Sequence, residues 1–247
     1  LFRSIRNGEF KLFLPYKPPF VNGHDVAGVV TKVGAKVSKF KVGDEVYSRV
    51  SDYRLGTFAE YISIDENDVA LKPKNLSMDE AGSIPLVGLT SWQALVEIGN
   101  VQKGQKVFIQ AGSGGVGTFA IQLAKYLGAF VATTTSTNNI DLVKSLGADL
   151  IIDYKTEDFE TKLKDYDLVL HSNRDTKILE KSLRILKSGG QLISLVGPPT
   201  PEFATTIGLP WHLKLVTKLI SLDAKKKAKK ILRPKHFKPC EFLSIAS

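Results

Sequence analysis

Three glycines at the start of a helix-forming stretch carry the clearest chemical signal in this chain. Gly112, Gly114 and Gly117 have the G-x-G-x-x-G spacing and directly follow an apolar run at 107–109. Such a turn presents backbone N–H groups and the positive end of a helix dipole to an anion, so a phosphate is held without a lysine. We therefore predict a nucleotide pyrophosphate site, against the alternative of a plain glycine-rich turn, with contacts from Gly112, Ser113, Gly114, Gly115, Val116 and Gly117.

Each glycine of the motif has its own expected role. Gly112 is predicted to allow a tight turn, and Gly114 to let the backbone approach the pyrophosphate closely. Gly117 is predicted to let the helix pack closely against the strand. The motif alone is weak evidence, and it gains weight from the strand before it, the helix after it and a further strand at 129–135.

The end of that further strand indicates which nucleotide binds. An NAD site needs an acidic residue there, because a carboxylate accepts hydrogen bonds from the ribose hydroxyls. Here residues 133–139 read TTTSTNN, and the first carboxylate is Asp141. Hydroxyl groups can donate to a 2′-phosphate without repelling it. The sequence therefore predicts NADPH, bound at least about tenfold more tightly than NADH, with contacts from Thr135, Ser136 and Thr137.

The elements that position these residues alternate along the second half of the chain. Apolar runs predict strands at 106–111, 129–135, 149–153, 167–171 and 191–196. Helices are predicted near 116–127, 138–146, 157–164 and 176–187, and three of them, the first, second and fourth, are expected to end at glycines: Gly128, Gly147 and Gly189-Gly190. The continuous apolar runs 150–152 and 168–170 are typical of strands covered on both faces. This pattern predicts an α/β fold with a doubly wound parallel sheet.

The first part of the chain has a different character. Period-2 runs at 25–30 and 58–64, separated by turn signals, predict an all-β region. A capping box at 77–80 opens a helix that Pro85 interrupts, and the helix resumes from Thr90 to Ile98. We expect three parts: a β domain at 1–85, a nucleotide-binding domain at 86–222 and a basic tail at 223–247.

Composition limits the class of protein. With 247 residues and 43% hydrophobic side chains the chain can bury a proper core, and no apolar run approaches the roughly 20 residues that span a bilayer. The single Cys240 excludes a disulfide framework or a cysteine zinc cluster and favours a cytoplasmic location. Because the chain begins with Leu1 rather than Met, the natural N-terminus is expected to be missing, and a targeting peptide would be invisible.

The net charge of +9 is concentrated in the tail. Residues 223–247 hold eight Lys or Arg and two acids, a net +6, which leaves +3 for the rest of the chain. A lysine-rich helix end is interpreted as a solvated face in preference to a nucleic-acid site, so no nucleic-acid partner is expected.

Five ordered motifs carry a resemblance to a known family. They are GHDVAGVVTKVGAKVSKFKVGDEV (23–46), GTFAEY (56–61), AGSIPLVGLTSWQAL (81–95), AGSGGVGTFAIQLAK (111–125) and SLGADLIIDY (145–154). With them the chain resembles the medium-chain dehydrogenase/reductases, in the zinc-independent quinone oxidoreductase or alkenal reductase branch. The resemblance implies a GroES-like β domain followed by a Rossmann-type domain, and hydride transfer from NADPH to a quinone or an α,β-unsaturated carbonyl. Family chains are longer at both ends, and the full-length protein is expected to be a homodimer.

The resemblance also assigns residues to the cofactor. It places Thr90 beside the nicotinamide, the backbone of Val196 and Gly197 against its carboxamide, and Tyr154 on the adenosine phosphate. A basic residue common in relatives is replaced here by Asn139; Lys144 is either a substitute for it or a solvated helix lysine.

His171 and Tyr53 are candidates for catalysis, and Ser172 is assigned to the cofactor. His171 and Ser172 follow the fourth strand, where strand ends line the crevice, so both are predicted near the cofactor. His171 is either a proton donor or simply a strand-end residue. Tyr53 is either a residue of the substrate cleft that donates a proton or an exposed loop tyrosine.

A metal site is not expected. Gly23-His24-Asp25 resembles the GHE of zinc alcohol dehydrogenases, but Leu86 stands where that family has a cysteine ligand, and catalytic zinc needs three protein ligands. Two other functions stay open: a carbonyl or alcohol dehydrogenase, and an NADPH-binding protein without turnover.

Overall fold

The computed structural model describes residues 19–51 and 55–196, together with positions 205, 210, 211, 214, 215, 217–219 and 222. The chain divides into two compact units, one of residues 1–89 with residue 247 and one of residues 90–246. The predictions for Tyr53, Gly197 and the tail at 223–247 lie outside the described residues.

The first unit contains a three-stranded antiparallel sheet. Its strands are β1 (Asp25–Val29), β2 (Glu45–Arg49) and β3 (Val69–Leu71), in the order β1-β2-β3. A short 3-10 turn, Glu66–Asp68, leads into β3. Tyr47 in the middle strand pairs with Ala27 on one side and Ala70 on the other. The predicted β character of this region is confirmed.

One predicted strand of this unit is wrong. Residues 58–64 form bends and irregular backbone with no strand ladder among the described residues. Phe58 and Tyr61 are 67% and 75% exposed. Alternating apolar residues describe how side chains are distributed, whereas a strand also needs a neighbouring backbone to pair with.

Of the two helices that follow, the first begins as predicted and the second begins earlier than predicted. Ser77 and Glu80 form the predicted capping box at the start of α1 (Met78–Gly82). The next helix, α2 (Pro85–Trp92), starts at the proline itself and continues as a π-helical turn, Gln93–Ile98. A proline is well tolerated in the first helical turn, where its missing N–H has no helical partner to lose. Pro85 therefore opens the helix and does not interrupt it.

The second unit is built on a parallel sheet of five strands. They are β4 (Lys106–Ile109), β5 (Phe130–Thr135), β6 (Leu150–Asp153), β7 (Tyr166–His171) and β8 (Leu186–Ser194), in the order β6-β5-β4-β7-β8. The connecting helices are α3 (Gly115–Tyr126), α4 (Ile140–Ser145), α5 (Phe159–Lys162) and α6 (Thr176–Arg184). This order confirms the predicted doubly wound fold.

Two apolar clusters cover the two faces of this sheet. Val107 and Ile109 of β4 belong to the cluster that contains Ala120 and Ile121 of α3. Phe108, between them in the strand, belongs to the other cluster, with Leu183 of α6 among its members. Because side chains alternate along a strand, the two clusters lie on opposite faces and α3 and α6 cover different sides.

Two of the three predicted helix-terminating glycine positions are confirmed. Gly128 and Gly147 follow α3 and α4 with φ of +80° and +100°. After α3, Gly128 N–H donates to Lys125 O and Ala129 N–H donates to Ala124 O, the pair of bonds that defines a Schellman cap.

The prediction for Gly189-Gly190 is wrong. Helix α6 ends at Arg184, and both glycines lie within β8. Tyr166 pairs with Leu186 whereas Leu168 pairs with Gln191, so the chain bulges between the two pairs. The positive φ of Gly189, +77°, permits this bulge.

No helix in the described part of the chain is both long enough and apolar enough to span a membrane.

Candidate functional site

The candidate site lies at the topological switch point of the parallel sheet, between β4 and β7. Strands β4 and β7 are neighbours, yet the helices that follow them, α3 and α6, cover opposite faces. In such sheets the carboxyl ends of the two strands border a crevice that binds ligands. The glycine turn follows β4 and His171 ends β7, so both border this crevice.

The glycine-rich turn forms as predicted, but its residues have different structural roles from those predicted. Ala111, not Gly112, takes the positive φ of the tight turn, +53°. Gly112 must be small because a Cβ there would lie 2.1 Å from Thr133 Oγ1 of the neighbouring strand. A Cβ on Gly117 would lie 2.3 Å from Ala111 O, so Gly117 does allow close packing of the helix, but against the turn that follows β4 and not against the strand that was predicted. The role predicted for Gly112 is therefore corrected to packing against β5.

The amino end of α3 is open to an anion. Gly114 is the N-cap residue, no side chain caps the helix, and the first turn holds no acid. Gly114 and Gly115 are exposed. The first backbone N–H groups of a helix have no intrahelical partner and sit at the positive end of its dipole. This geometry fits the predicted pyrophosphate.

Hydroxyl groups beside the turn form a hydrogen-bonded network. Thr135 Oγ1 donates to Ser113 Oγ at 3.0 Å, and Asn139 Nδ2 donates to Ser113 Oγ at 3.2 Å and to Ser136 Oγ at 3.3 Å. Thr137 Oγ1 donates to the Asp153 carboxylate. Because a hydroxyl has a single proton, Thr135 and Thr137 have already used theirs. Ser113 and Ser136 act only as acceptors in the bonds of the described residues, so their protons remain for a ligand.

This network revises the predicted contacts to a 2′-phosphate. Thr135 is 1% exposed and its hydroxyl holds Ser113, so it supports the turn and does not face a ligand. Thr137 is bound to Asp153. Of the three predicted donors, Ser136 alone keeps an available proton, and Ser113 joins it from the glycine turn.

The sequence interpretation missed Asp153. This residue ends β6 and lies beside Thr135 in the sheet. Hydrogen bonds from the Thr137 hydroxyl and the Lys155 N–H lower the pKa of Asp153, so its carboxylate is ionised at neutral pH. The signal was the aspartate of the IIDY motif, which was used only to locate Tyr154.

The side chains around Asp153 are placed as follows. Tyr154 is 61% exposed, and its N–H donates to Thr135 O at 3.1 Å, so the ring is available to stack on a ligand. Lys144 is exposed in the last turn of α4. Asn139, in place of a basic residue, connects Ser113 and Ser136 through its amide.

A buried polar group lies at the ends of β4 and β7. Gln110 Oε1 accepts from Ser172 N–H at 3.2 Å, while Gln110 Nε2 donates to Ser182 Oγ of α6 at 2.7 Å. Gln110 was also missed, because a single glutamine after a strand has no motif to mark it. It ties both borders of the crevice to α6.

His171 is buried at the end of β7. Its side chain is 2% exposed, and burial lowers its pKa to about 4, opposed in part by a hydrogen bond to the Asn173 backbone. A neutral, enclosed imidazole is poorly suited to donate a proton at neutral pH. Of the two readings, the structure favours the strand-end residue.

The buried imidazole predicts a pH-dependent stability. The unfolded chain takes up a proton at His171 below its ordinary pKa of 6.5, whereas the folded chain resists protonation until about pH 4. The unfolding free energy contributed by this group is present above pH 6.5 and falls by about 3 kcal/mol as the pH drops from 6.5 to 4. Urea unfolding of the wild type and His171→Gln at several pH values measures it. Parallel profiles for the two proteins would contradict the assignment.

The remaining predicted residues of this unit are less informative. Thr90 is 1% exposed, and its neighbour Ser91 donates to Val116 O of α3 at 3.4 Å. Val196 N–H donates to Ser194 Oγ at 3.4 Å, at the carboxyl end of β8. Their predicted contacts with the nicotinamide stay predictions.

In the first unit, His24 is 1% exposed. Leu86 N–H donates to Asp25 Oδ1 at 2.8 Å, and the leucine side chain offers no metal ligand. Within residues 19–51 and 55–196 and the described positions beyond them, no group of three His, Cys, Asp or Glu side chains is placed to hold a metal ion.

Comparison with known proteins agrees with this geometry. Residues 2–74 match the family model described as the alcohol dehydrogenase GroES-like domain, and residues 115–219 match the one described as zinc-binding dehydrogenase. A 2-methylene-furan-3-one reductase of Solanum lycopersicum is 44% identical over 191 residues, 74% of this chain and 48% of that protein. The chloroplastic NADPH-dependent alkenal/one oxidoreductase of Arabidopsis thaliana is 41% identical over 204 residues, which are 79% of this chain and 52% of that protein. The chain thus spans about half the length of these relatives.

Solved structures extend the comparison. An alcohol dehydrogenase superfamily protein from Novosphingobium aromaticivorans matches with a TM-score of 0.71 and 31% identity, over 93% of this chain and 72% of that one. The quinone oxidoreductase from Coxiella burnetii matches with a TM-score of 0.70 and 29% identity, over 93% of this chain and 75% of that one. The predicted GroES-like and Rossmann-type domains are confirmed. The chain belongs to the medium-chain dehydrogenase/reductase superfamily, in its zinc-independent, quinone oxidoreductase-like branch.

Proposed function

We propose that this protein is a reductase that uses NADPH to reduce a quinone or the activated double bond of an α,β-unsaturated carbonyl, without a metal. The observation that carries the proposal is the glycine turn with two serine hydroxyls beside it, Ser113 and Ser136, whose protons are available to phosphate oxygens. The names of the tomato and Arabidopsis relatives, a furanone reductase and an NADPH-dependent alkenal/one oxidoreductase, support it.

The residues fit the phosphates of the cofactor. The open amino end of α3 offers backbone N–H groups for the pyrophosphate, and a side chain on Gly114 would extend into the exposed side of this turn. The end of β5 carries Thr135 and Ser136 in place of a carboxylate, so nothing on that strand end repels a 2′-phosphate. Tyr154 adds an exposed ring beside it.

The chemistry asks little of the side chains. NADPH supplies the hydride when it is bound, and the chain contributes binding, orientation and exclusion of water. The buried bonds from Gln110 to Ser172 and Ser182 hold the ends of β4 and β7 in place. This rigidity favours a fixed position for the cofactor at the border of the crevice.

The direct test is NADPH oxidation followed by absorbance at about 340 nm with a panel of quinones, enals and enones. We expect turnover with at least one of these classes and unchanged rates after treatment with a metal chelator, because no step needs a metal. Saturated aldehydes and ketones, which lack the activated double bond but can still accept a hydride, are the controls. Turnover confined to the controls would instead favour a carbonyl or alcohol dehydrogenase, and tight NADPH binding without any turnover would favour a non-catalytic binding protein.

Location and assembly belong to the same proposal. We keep a cytoplasmic location and a homodimer as expectations; the Arabidopsis relative is named as chloroplastic. Light scattering of the purified protein measures the assembly, and fluorescence imaging of the tagged full-length protein locates it.

A further inference from the structure

One carboxylate accepts a hydrogen bond from the Thr137 hydroxyl, at the edge of the hydroxyl network, and makes no hydrogen bond to the glycine turn among the described residues. Asp153 ends β6, lies beside Thr135 in the sheet and is 8% exposed. Its Oδ1 accepts from Lys155 N–H at 3.0 Å, and its Oδ2 accepts from Thr137 Oγ1. Both oxygens are therefore engaged by the chain.

The Thr137 residue that Asp153 binds is the first residue of a short helical turn. Residues Thr137–Asn139 form one turn of 3-10 helix, in which Asn139 N–H donates to Ser136 O. No side chain caps this turn at its start. Asp153 is thus the side-chain acceptor that ties Thr137 to the sheet, and it sets the position of Asn139 two residues later.

Asn139 in turn contacts both serines, and Thr135 Oγ1 is a second donor to Ser113. The Asn139 amide donates to Ser113 Oγ and Ser136 Oγ, so each serine is an acceptor toward the chain and keeps its own proton for a ligand. A displaced Asn139 would free the Ser136 hydroxyl to turn toward other acceptors and would leave Ser113 bonded to Thr135 only. The available donors at the site therefore depend on the turn, and the turn depends on Asp153.

We propose that Asp153 is a positioning residue for the 2′-phosphate of NADPH, because its carboxylate anchors the Thr137–Asn139 turn and thereby keeps Ser113 and Ser136 as outward donors. This inference rests on the proposed function, since it concerns the cofactor of that function.

The charge and the acceptor-only chemistry of a carboxylate both matter here. An ionised oxygen accepts a stronger hydrogen bond from the Thr137 hydroxyl than a neutral one does. In Asp153→Asn the amide keeps one acceptor oxygen, and its NH₂ group is a donor. One of the two bonds, from Thr137 or from Lys155 N–H, is then lost or reversed in direction.

A second role for Asp153 competes with this one. A carboxylate beside the end of the second strand resembles the acid that binds ribose hydroxyls in NAD sites. The structure favours the positioning role because both oxygens already accept from the chain and the residue is buried. The two roles predict different effects on NADH, which has the ribose hydroxyls and lacks the 2′-phosphate.

The test is a double-mutant cycle read by fluorescence titration with NADPH and with NADH. Asp153→Asn and Thr137→Val are each expected to raise the NADPH Kd about five- to twentyfold. The Kd of the double variant should be no more than about twofold above that of the single variant with the higher Kd. The NADH Kd should change less than about twofold, and kcat at saturating NADPH should be retained. Thr137→Val keeps the approximate volume of threonine, so its own NADPH and NADH Kd values still test the proposal if the aspartate variant folds poorly.

The matched control is a second aspartate, at the opposite end of β6. Asp149, just before β6, pairs with Lys125 at 2.8 Å and accepts from Val131 N–H at 2.7 Å, at the amino end of the sheet. Asp149→Asn should lower the melting temperature and leave both Kd values unchanged. Equal losses for NADH and NADPH, additive single effects, or the same Kd change in Asp149→Asn would overturn the proposal. Failure of the wild type to bind NADPH at all would instead sink the proposed function, and this inference with it.

Discussion

Replacing Gly117 by Ala is expected to abolish measurable NADPH binding and to lower the free energy of unfolding by about 3 kcal/mol. The added Cβ would lie 2.3 Å from Ala111 O and 2.7 Å from Gly112 Cα, both backbone atoms that no side-chain rotation can move aside. Alanine would gain about 1 kcal/mol over glycine from helix propensity. The clash is the larger effect, because helix α3 must shift away from the turn that its own amino end completes.

Two other glycines separate folding from binding. A Cβ on Gly114 would lie 3.2 Å from Ala111 O, on an exposed residue, so Gly114→Ala should change the unfolding free energy by less than about 1 kcal/mol. It should still weaken NADPH binding more than about tenfold, because the methyl group would extend where the pyrophosphate is predicted. Gly28→Ala, with no atom within 4 Å of the new Cβ, is the neutral control.

Urea unfolding and fluorescence titration of the three variants measure both quantities. Normal NADPH affinity in Gly114→Ala would show that the phosphates do not approach this turn. Normal stability in Gly117→Ala would show that α3 can move without loss, and the rigid turn would no longer explain binding.

The parallel sheet was predictable because its signals are local. Buried strands such as 168–170 are continuous apolar runs, and the glycines after α3 and α4 occupy backbone positions that other residues disfavour. The run at 58–64 has an equally clear alternation and no ladder among the described residues, because pairing depends on a partner that a local pattern does not contain.

The hydrogen-bond pattern of the site was not predictable from the sequence, for a physical reason. The sequence showed that hydroxyl residues end β5, and it gave no information on which atom receives each proton. That depends on Asp153, which is 16 residues from Thr137 in the chain and adjacent to it in space. Gln110 is similar, since its partners Ser172 and Ser182 are 62 and 72 residues away. Residues of this kind become visible only when the sheet brings separate strand ends together.

The second large effect is expected from Ser136→Asp, which should reverse the cofactor preference. A carboxylate at this position would repel the 2′-phosphate and accept hydrogen bonds from the ribose hydroxyls of NADH. We expect NADPH affinity to fall about 100-fold and NADH affinity to rise a few-fold. Ser136 is chosen over Thr135 because Thr135 is 1% exposed, and a charge placed there would be buried without a partner.

Ser136→Ala distinguishes repulsion from the loss of a donor. It removes the hydroxyl without adding charge, so NADPH affinity should fall only about five- to tenfold and NADH affinity should stay unchanged. Fluorescence titrations with both cofactors, repeated at two salt concentrations, separate the contributions, because repulsion between exposed charges weakens as salt increases. If Ser136→Asp still prefers NADPH, the 2′-phosphate lies away from the end of β5. The native Asp153 shows why position matters more than the presence of an acid: its oxygens accept from Thr137 and Lys155, so its charge is directed into the chain, whereas an aspartate at 136 would face the ligand.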